Sequence, residues 1–178
     1  SILISPDGAA PPTGTLSSAT DNVGIGKDVF KVLTSGIYNV GVGTHSLDSL
    51  TTGMGNIALG YDSLNSITGG SWNVALGQGA LRTTTNSTYN TAVGSMTLAS
   101  GGTGHYNTAV GATAMYGADS TGTRNVAVGW DSMREIGSGN DNTMIGSKSG
   151  YTISSGSNNI GLGYNTLYAN TTGNRNIA

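Results

Sequence analysis

A five-residue phrase (asparagine, any residue, a small residue, an aliphatic residue, glycine) returns along this chain at nearly fixed spacing and limits what the chain can become. Its asparagines are Asn22, Asn39, Asn56, Asn73, Asn90, Asn107, Asn125, Asn142, Asn159 and Asn176, so every interval is 17 residues except the 18 between Asn107 and Asn125. A glycine closes each complete copy, at Gly26, Gly43, Gly60, Gly77, Gly94, Gly111, Gly129, Gly146 and Gly163. From Asn39 onward another glycine stands three places before each asparagine, with Ser87 the exception. Self-similarity at such a period is the mark of a solenoid, in which one repeat is one turn and like residues stack into ladders.

Side chains alternate along an extended segment, so the alternation within a copy can be read directly. The third residue after the asparagine is always aliphatic: Ile25, Val42, Leu59, Leu76, Val93, Val110, Val128, Ile145, Leu162. The residue before it is Gly or Ala except at Met144. Eight places after the asparagine runs a second apolar column, Phe30, Leu47, Leu64, Leu81, Leu98, Met115, Met133, Gly150, Leu167, which predicts a second, shorter strand. The expected fold is therefore all-β, a repetitive parallel β-roll or β-helix solenoid of 17-residue repeats. In this reading the aliphatic column is buried, and the Gly/Ala face is left open for another chain to cover. Stacked asparagines can bond to one another along the axis and to the turn backbone, or serve each turn only as its former. The extra residue of the long interval is expected in a loop at 116–121, where an insertion leaves strand register intact.

Composition enters as exclusion. Thirty glycines and a single phenylalanine suit close-packed turns better than a conventional core, and a net charge of -2 is too small to indicate a disordered polyelectrolyte. Seven basic and nine acidic residues are scattered singly, which provides no stripe for nucleic acid or an anionic membrane surface. No apolar run approaches spanning length, and no cysteine offers a disulfide or thiolate ligand. Residues 1–21 carry Pro6, Pro11 and Pro12 and no repeat, and read as an N-terminal arm or linker in which Ile2–Ile4 could add one edge strand. Residues 22–178 are the solenoid, which ends inside a repeat, so the chain reads as a piece of a longer polypeptide.

The phrase N-x-A-x-G followed by x-x-[SA]-L, as in Asn56–Leu64 and Asn73–Leu81, resembles the heads of trimeric autotransporter adhesins. It also resembles the repeats of phage tail-fibre proteins that often precede an endosialidase-type intramolecular chaperone. The resemblance covers residues 22–178, with a longer repeat here than in the adhesin heads. It implies a homotrimeric fibrous β-structure on a virion tail, or alternatively on a bacterial cell surface. Its partners would be its own copies, other virion tail proteins and a host receptor or glycan met mainly through regions outside this chain.

No catalytic, cofactor-binding or metal-ligating constellation can be placed, so the chain reads as a non-enzyme. His45 and His105 fall in different columns, Glu135 is the sole glutamate, and Asp62 and Asp131 share a column four repeats apart. Aromatic residues are the one surface feature with a functional reading. Tyr38, Trp72, Tyr89 and Tyr106 precede the motif asparagine; Tyr61, Trp130 and Tyr164 follow the motif glycine. Flat faces beside polar neighbours suit glycan contact, and equal spacing suits stacking of the rings on one another. Three functions are therefore carried forward: a structural and adhesive fibre shaft presenting a receptor-binding tip, a surface adhesin whose repeats bind host matrix or glycan, and an ice-binding solenoid. The last needs regular threonine ranks, and its column is broken: Val23, Val40, Ile57, Val74, Thr91, Thr108, Val126, Thr143, Ile160.

Overall fold

The computed structural model describes residues 1–4, 18–100, 102, 104–117 and 121–178. Among these the chain contains strands and turns and no helix. Ten strands form one parallel sheet in chain order: β1 (Ile2–Ile4), β2 (Val23–Ile25), β3 (Val40–Val42), β4 (Ile57–Leu59), β5 (Val74–Leu76), β6 (Thr91–Val93), β7 (Thr108–Val110), β8 (Val126–Val128), β10 (Thr143–Ile145) and β12 (Ile160–Leu162). Two shorter strands, β9 (Glu135–Ile136) and β11 (Thr152–Ile153), pair in parallel as a second sheet. Each main strand pairs with the same residues one repeat on, Ile57 with Val74 and Ala58 with Ala75. The register holds across the long interval, where Thr108 pairs with Val126. Of the loop expected to absorb the extra residue, 118–120 lie outside the described residues.

The first strand continues the same pattern upstream of the recognised repeats. Ile2 pairs with Val23 and Ile4 with Ile25, which places Ser1 in the asparagine column. There its hydroxyl accepts from the Asn22 backbone N–H at 3.3 Å. The arm or linker expected over residues 1–21 thus begins as a rung of the sheet, and residues 5–17 lie outside the described residues.

The two faces of the main sheet are the reverse of the sequence expectation. Ala58, Ala75, Ala92, Ala109, Ala127 and Met144 are completely buried, whereas Ile25, Leu59, Ile145 and Leu162 are exposed. The small column points into the roll and the aliphatic column points out. The reason is thinness. One turn must place the strand opposite its own second apolar column, and an added Cβ on Gly41 would already lie 2.8 Å from Val29 and 3.4 Å from Leu47. Nothing larger than alanine fits there unless its partner shrinks. The chain therefore covers its own Gly/Ala face, and no second chain is required for that.

The second apolar column also differs in form from the expected strand. It sits at the end of a tight turn that starts at the motif glycine, with φ positive at every second residue: Gly60 at 138°, Asp62 at 55° and Leu64 at 48°. A non-glycine residue in the left-handed region costs about 1–3 kcal/mol. Complete burial of Leu47, Leu64, Met115 and Met133 offsets that cost and fixes the turn. Leu33, Leu50, Ile67, Ile136 and Ile153, eleven places after the asparagine, finish the core. The motif glycine leaves no space for a Cβ between successive turns. At Gly60 an added Cβ would lie 2.6 Å from the Gly77 carbonyl oxygen, in a backbone conformation that side chains rarely adopt.

Candidate functional site

The asparagines form a continuous amide ladder inside the roll. Asn22, Asn39, Asn56, Asn73, Asn90, Asn107, Asn125, Asn142 and Asn159 are all buried. The Asn56 carboxamide oxygen accepts from the backbone N–H of Asn73 at 3.1 Å and from its Nδ2 at 3.0 Å. The other hydrogen of Asn73 Nδ2 serves a turn carbonyl, that of Ser87, at 2.8 Å. Asn176 closes the series on Asn159 at 2.9 Å. The amides thereby tie successive turns together, and their polar groups are spent internally.

Ligand chemistry therefore falls to the outer surface, where the aliphatic face of the main sheet is the most extended feature. Its two outward columns, one and three places after each asparagine, hold Val, Ile, Leu and Thr and carry no charge over nine repeats. At about 4.8 Å per rung, those repeats extend roughly 43 Å. Leu59 is 41% exposed and Leu162 58%, and every residue in both columns is accessible in part.

No family model, curated protein or solved structure matches this chain.

The aromatic residues named from the sequence border this face without converging on one place. Tyr89 and Tyr106 stack with ring centroids 5.0 Å apart and planes 4° from parallel, so their facing surfaces are taken by each other. Trp72 lays its six-membered ring over the Cα of Gly55, in the space a side chain there would take. Tyr61 sits tilted against His45 at 5.9 Å, Trp130 lies under Lys148 Nζ at 4.9 Å, and Tyr164 is 71% exposed.

Charged groups are paired along the axis by the same repeat spacing. His45 lies between Asp28 (Nε2 to Oδ2, 3.4 Å) and Asp62 (Nδ1 to Oδ1, 3.3 Å), three consecutive members of one column. Burial raises the Asp48 carboxyl above its ordinary range, with Lys31 and His45 pulling it down and Asp28 and Asp62 pushing it up. Arg124 forms a two-pronged pair with Asp141 (2.7 and 2.9 Å), whose hydrogen bonds hold that carboxyl low. Among the described residues, no three His, Cys, Asp or Glu side chains are placed to hold a metal ion, and no helix is long and apolar enough to cross a membrane.

Sequence reading missed one column. Tyr116, Arg134, Tyr151 and Tyr168 stand nine places after their asparagines. The Arg134 guanidinium lies 5.4 Å from the Tyr116 ring centroid and 6.0 Å from that of Tyr151, and Tyr151 stacks on Tyr168 at 4.9 Å. Their common spacing was the available signal, hidden because arginine interrupts the aromatics.

Proposed function

We propose that this chain is a structural and adhesive segment of a trimeric fibre, a shaft that presents a receptor-binding region lying elsewhere in the assembly. The observation that carries the reading is the long, charge-free aliphatic face on the outside of the main sheet. Soluble monomers rarely leave so continuous an apolar strip in water, and such strips mark interaction surfaces. Three copies set side by side about one axis would turn these faces toward each other and enclose them. The asparagine ladder suits the same role, since it joins every turn to the next and stiffens the roll along its length. The resemblance to tail-fibre repeats supports a virion tail as the setting, with other tail proteins as neighbours; the adhesin-head resemblance supports a bacterial surface as the alternative.

Light scattering on a size-exclusion column tests the assembly. A solution mass three times that of the chain is expected, and a monomer at all concentrations overturns the reading. Ice binding has its own readout, thermal hysteresis, which a fibre shaft would not produce. The outward columns mix valine, isoleucine and leucine with threonine, and this favours apolar contact over an ordered water array.

A further inference from the structure

A groove of about 490 Å3 opens beside the second sheet, bounded by Tyr116, Arg134, Glu135, Thr152 and Ser154. Its size falls within the span of small-molecule sites, about 300–1,000 Å3. The sequence departs from the other turns at the groove floor. Twelve places after the asparagine, earlier turns carry Thr34, Thr51 and Thr68, whose hydroxyls bond to the carbonyl of the following turn. Gly137 takes that place here, and Gly117 stands where other turns have Ser49, Ser66 or Thr83. A Cβ on Gly137 would lie 2.5 Å from the Ser154 carbonyl oxygen and one on Gly117 2.7 Å from that of Arg134, so the backbones of successive turns close directly on one another at the groove floor.

The polar groups bounding the groove are held in place. Arg134 is sandwiched between Tyr116 and Tyr151, and its Nη1 bonds to Asp131 at 3.2 Å, the one guanidinium donor with a described acceptor. Among the described residues, the exposed Glu135 carboxylate receives only a long bond, 3.4 Å, from the Thr152 hydroxyl. An anchored donor, a carboxylate with spare lone pairs and two hydroxyls match the adjacent hydroxyl groups of a sugar, each of which both donates and accepts. Formal charge decides the class of sugar. Asp131 and Glu135 against Arg134 leave a local charge of -1, which repels uronates and sialic acids.

We propose that this groove binds a neutral saccharide unit, a hexose or N-acetylhexosamine of a larger glycan. The site is separate from the aliphatic face and does not depend on the fibre reading. Saturation-transfer NMR on the full chain, with cellotriose, maltotriose and chitotriose as neutral probes and free N-acetylneuraminic acid and glucuronic acid as acidic ones, tests it. At least one neutral probe is expected to bind at millimolar concentration and neither acidic sugar to bind. Glu135→Gln keeps shape and lies on an exposed position; removing the charge-assisted bonds should weaken the neutral probe by about tenfold. Ser154→Tyr, also exposed, fills the groove from its edge and should abolish binding. Failure of every neutral probe, binding of an acidic sugar alone, or unchanged affinity in both variants overturns the proposal. The mass of the assembly should be the same in wild type and both variants, so a wrong oligomeric state would register separately.

Discussion

Gly150 leaves empty the space that Met144 fills: a Cβ on Gly150 would lie 2.7 Å from Met144 Cγ and 2.9 Å from its Sδ. In other turns the strand supplies a glycine or alanine and the facing column a larger apolar residue, as with Ala58 and Leu64. Here the large and small residues have changed places. Met144→Ala alone should leave a cavity and cost about 2–5 kcal/mol. Gly150→Leu alone should overpack and cost about 1–3 kcal/mol. Together they restore the common arrangement, and the backbone accepts it, because Gly150 has φ 57° and Leu64 has φ 48°. Denaturant unfolding of the two singles and the double should therefore give a coupling of about 2–3 kcal/mol in favour of the double; additive losses would contradict the exchange.

Asn73 makes the same kind of test for the amide ladder. Its Nδ2 serves Asn56 Oδ1 and the Ser87 carbonyl, and its Oδ1 receives the backbone N–H of Asn90 at 3.0 Å. Asn73→Ala strands buried partners on both sides, at about 1–3 kcal/mol for each unsatisfied group. Asn73→Asp keeps the shape and loses the donors, so an ionised carboxylate would face two oxygens. Burial would raise its pKa in the folded state, so the variant's stability should fall as pH rises through that raised value. Thermal unfolding should find Asn73→Asp closest to wild type in acid and weakest at neutral pH.

The repeat, its length, the parallel register and the β class were all legible, because they follow from the positions of Asn and Gly alone. Burial was legible only in part. Alternation told that residues two and three after the asparagine face opposite ways, and hydrophobicity suggested the wrong one as core. Thickness decides the matter: with Leu64 and Ile67 filling the roll, no room is left for Leu59 as well, and Ala58 is what fits. Sequence also favoured a strand around Leu64, since its positive φ has no signature in a leucine. The column of Tyr116, Arg134 and Tyr151 was in plain register, but a ladder of unlike residues does not read as one until their side chains are seen to stack.

Asp48 gives the pH prediction its sign. Burial, the leading cause, raises its folded-state pKa, so the folded chain holds a proton more tightly than the unfolded one. That contribution to stability is full below the ordinary carboxylate value and is lost as pH rises through the raised one. Asp48→Asn has no charge to desolvate. Its melting temperature relative to wild type should therefore rise from acid to neutral pH, with the gain complete above the raised value. A difference that stays flat across that window would mean that Lys31 and His45 compensate fully for the burial.

Leu59 and Leu64 separate what folds one chain from what joins several. Leu64 is fully buried within its own roll, so Leu64→Ala should cost about 2–5 kcal/mol whether or not copies associate. Leu59 projects outward from β4 and is 41% exposed, so in a lone chain Leu59→Ala should fall within about 0.5 kcal/mol of wild type. In an assembly closed by the aliphatic faces, the same substitution removes buried contacts, and its effect should depend on protein concentration. Leu59→Asp sharpens the contrast. A carboxylate at the centre of a closed apolar interface has no partner, whereas on an open face it is simply solvated. Light scattering and circular dichroism on Leu59→Asp should therefore show a folded β-chain with the mass of one copy. Retention of the multimeric mass would place the contact on another surface of the roll.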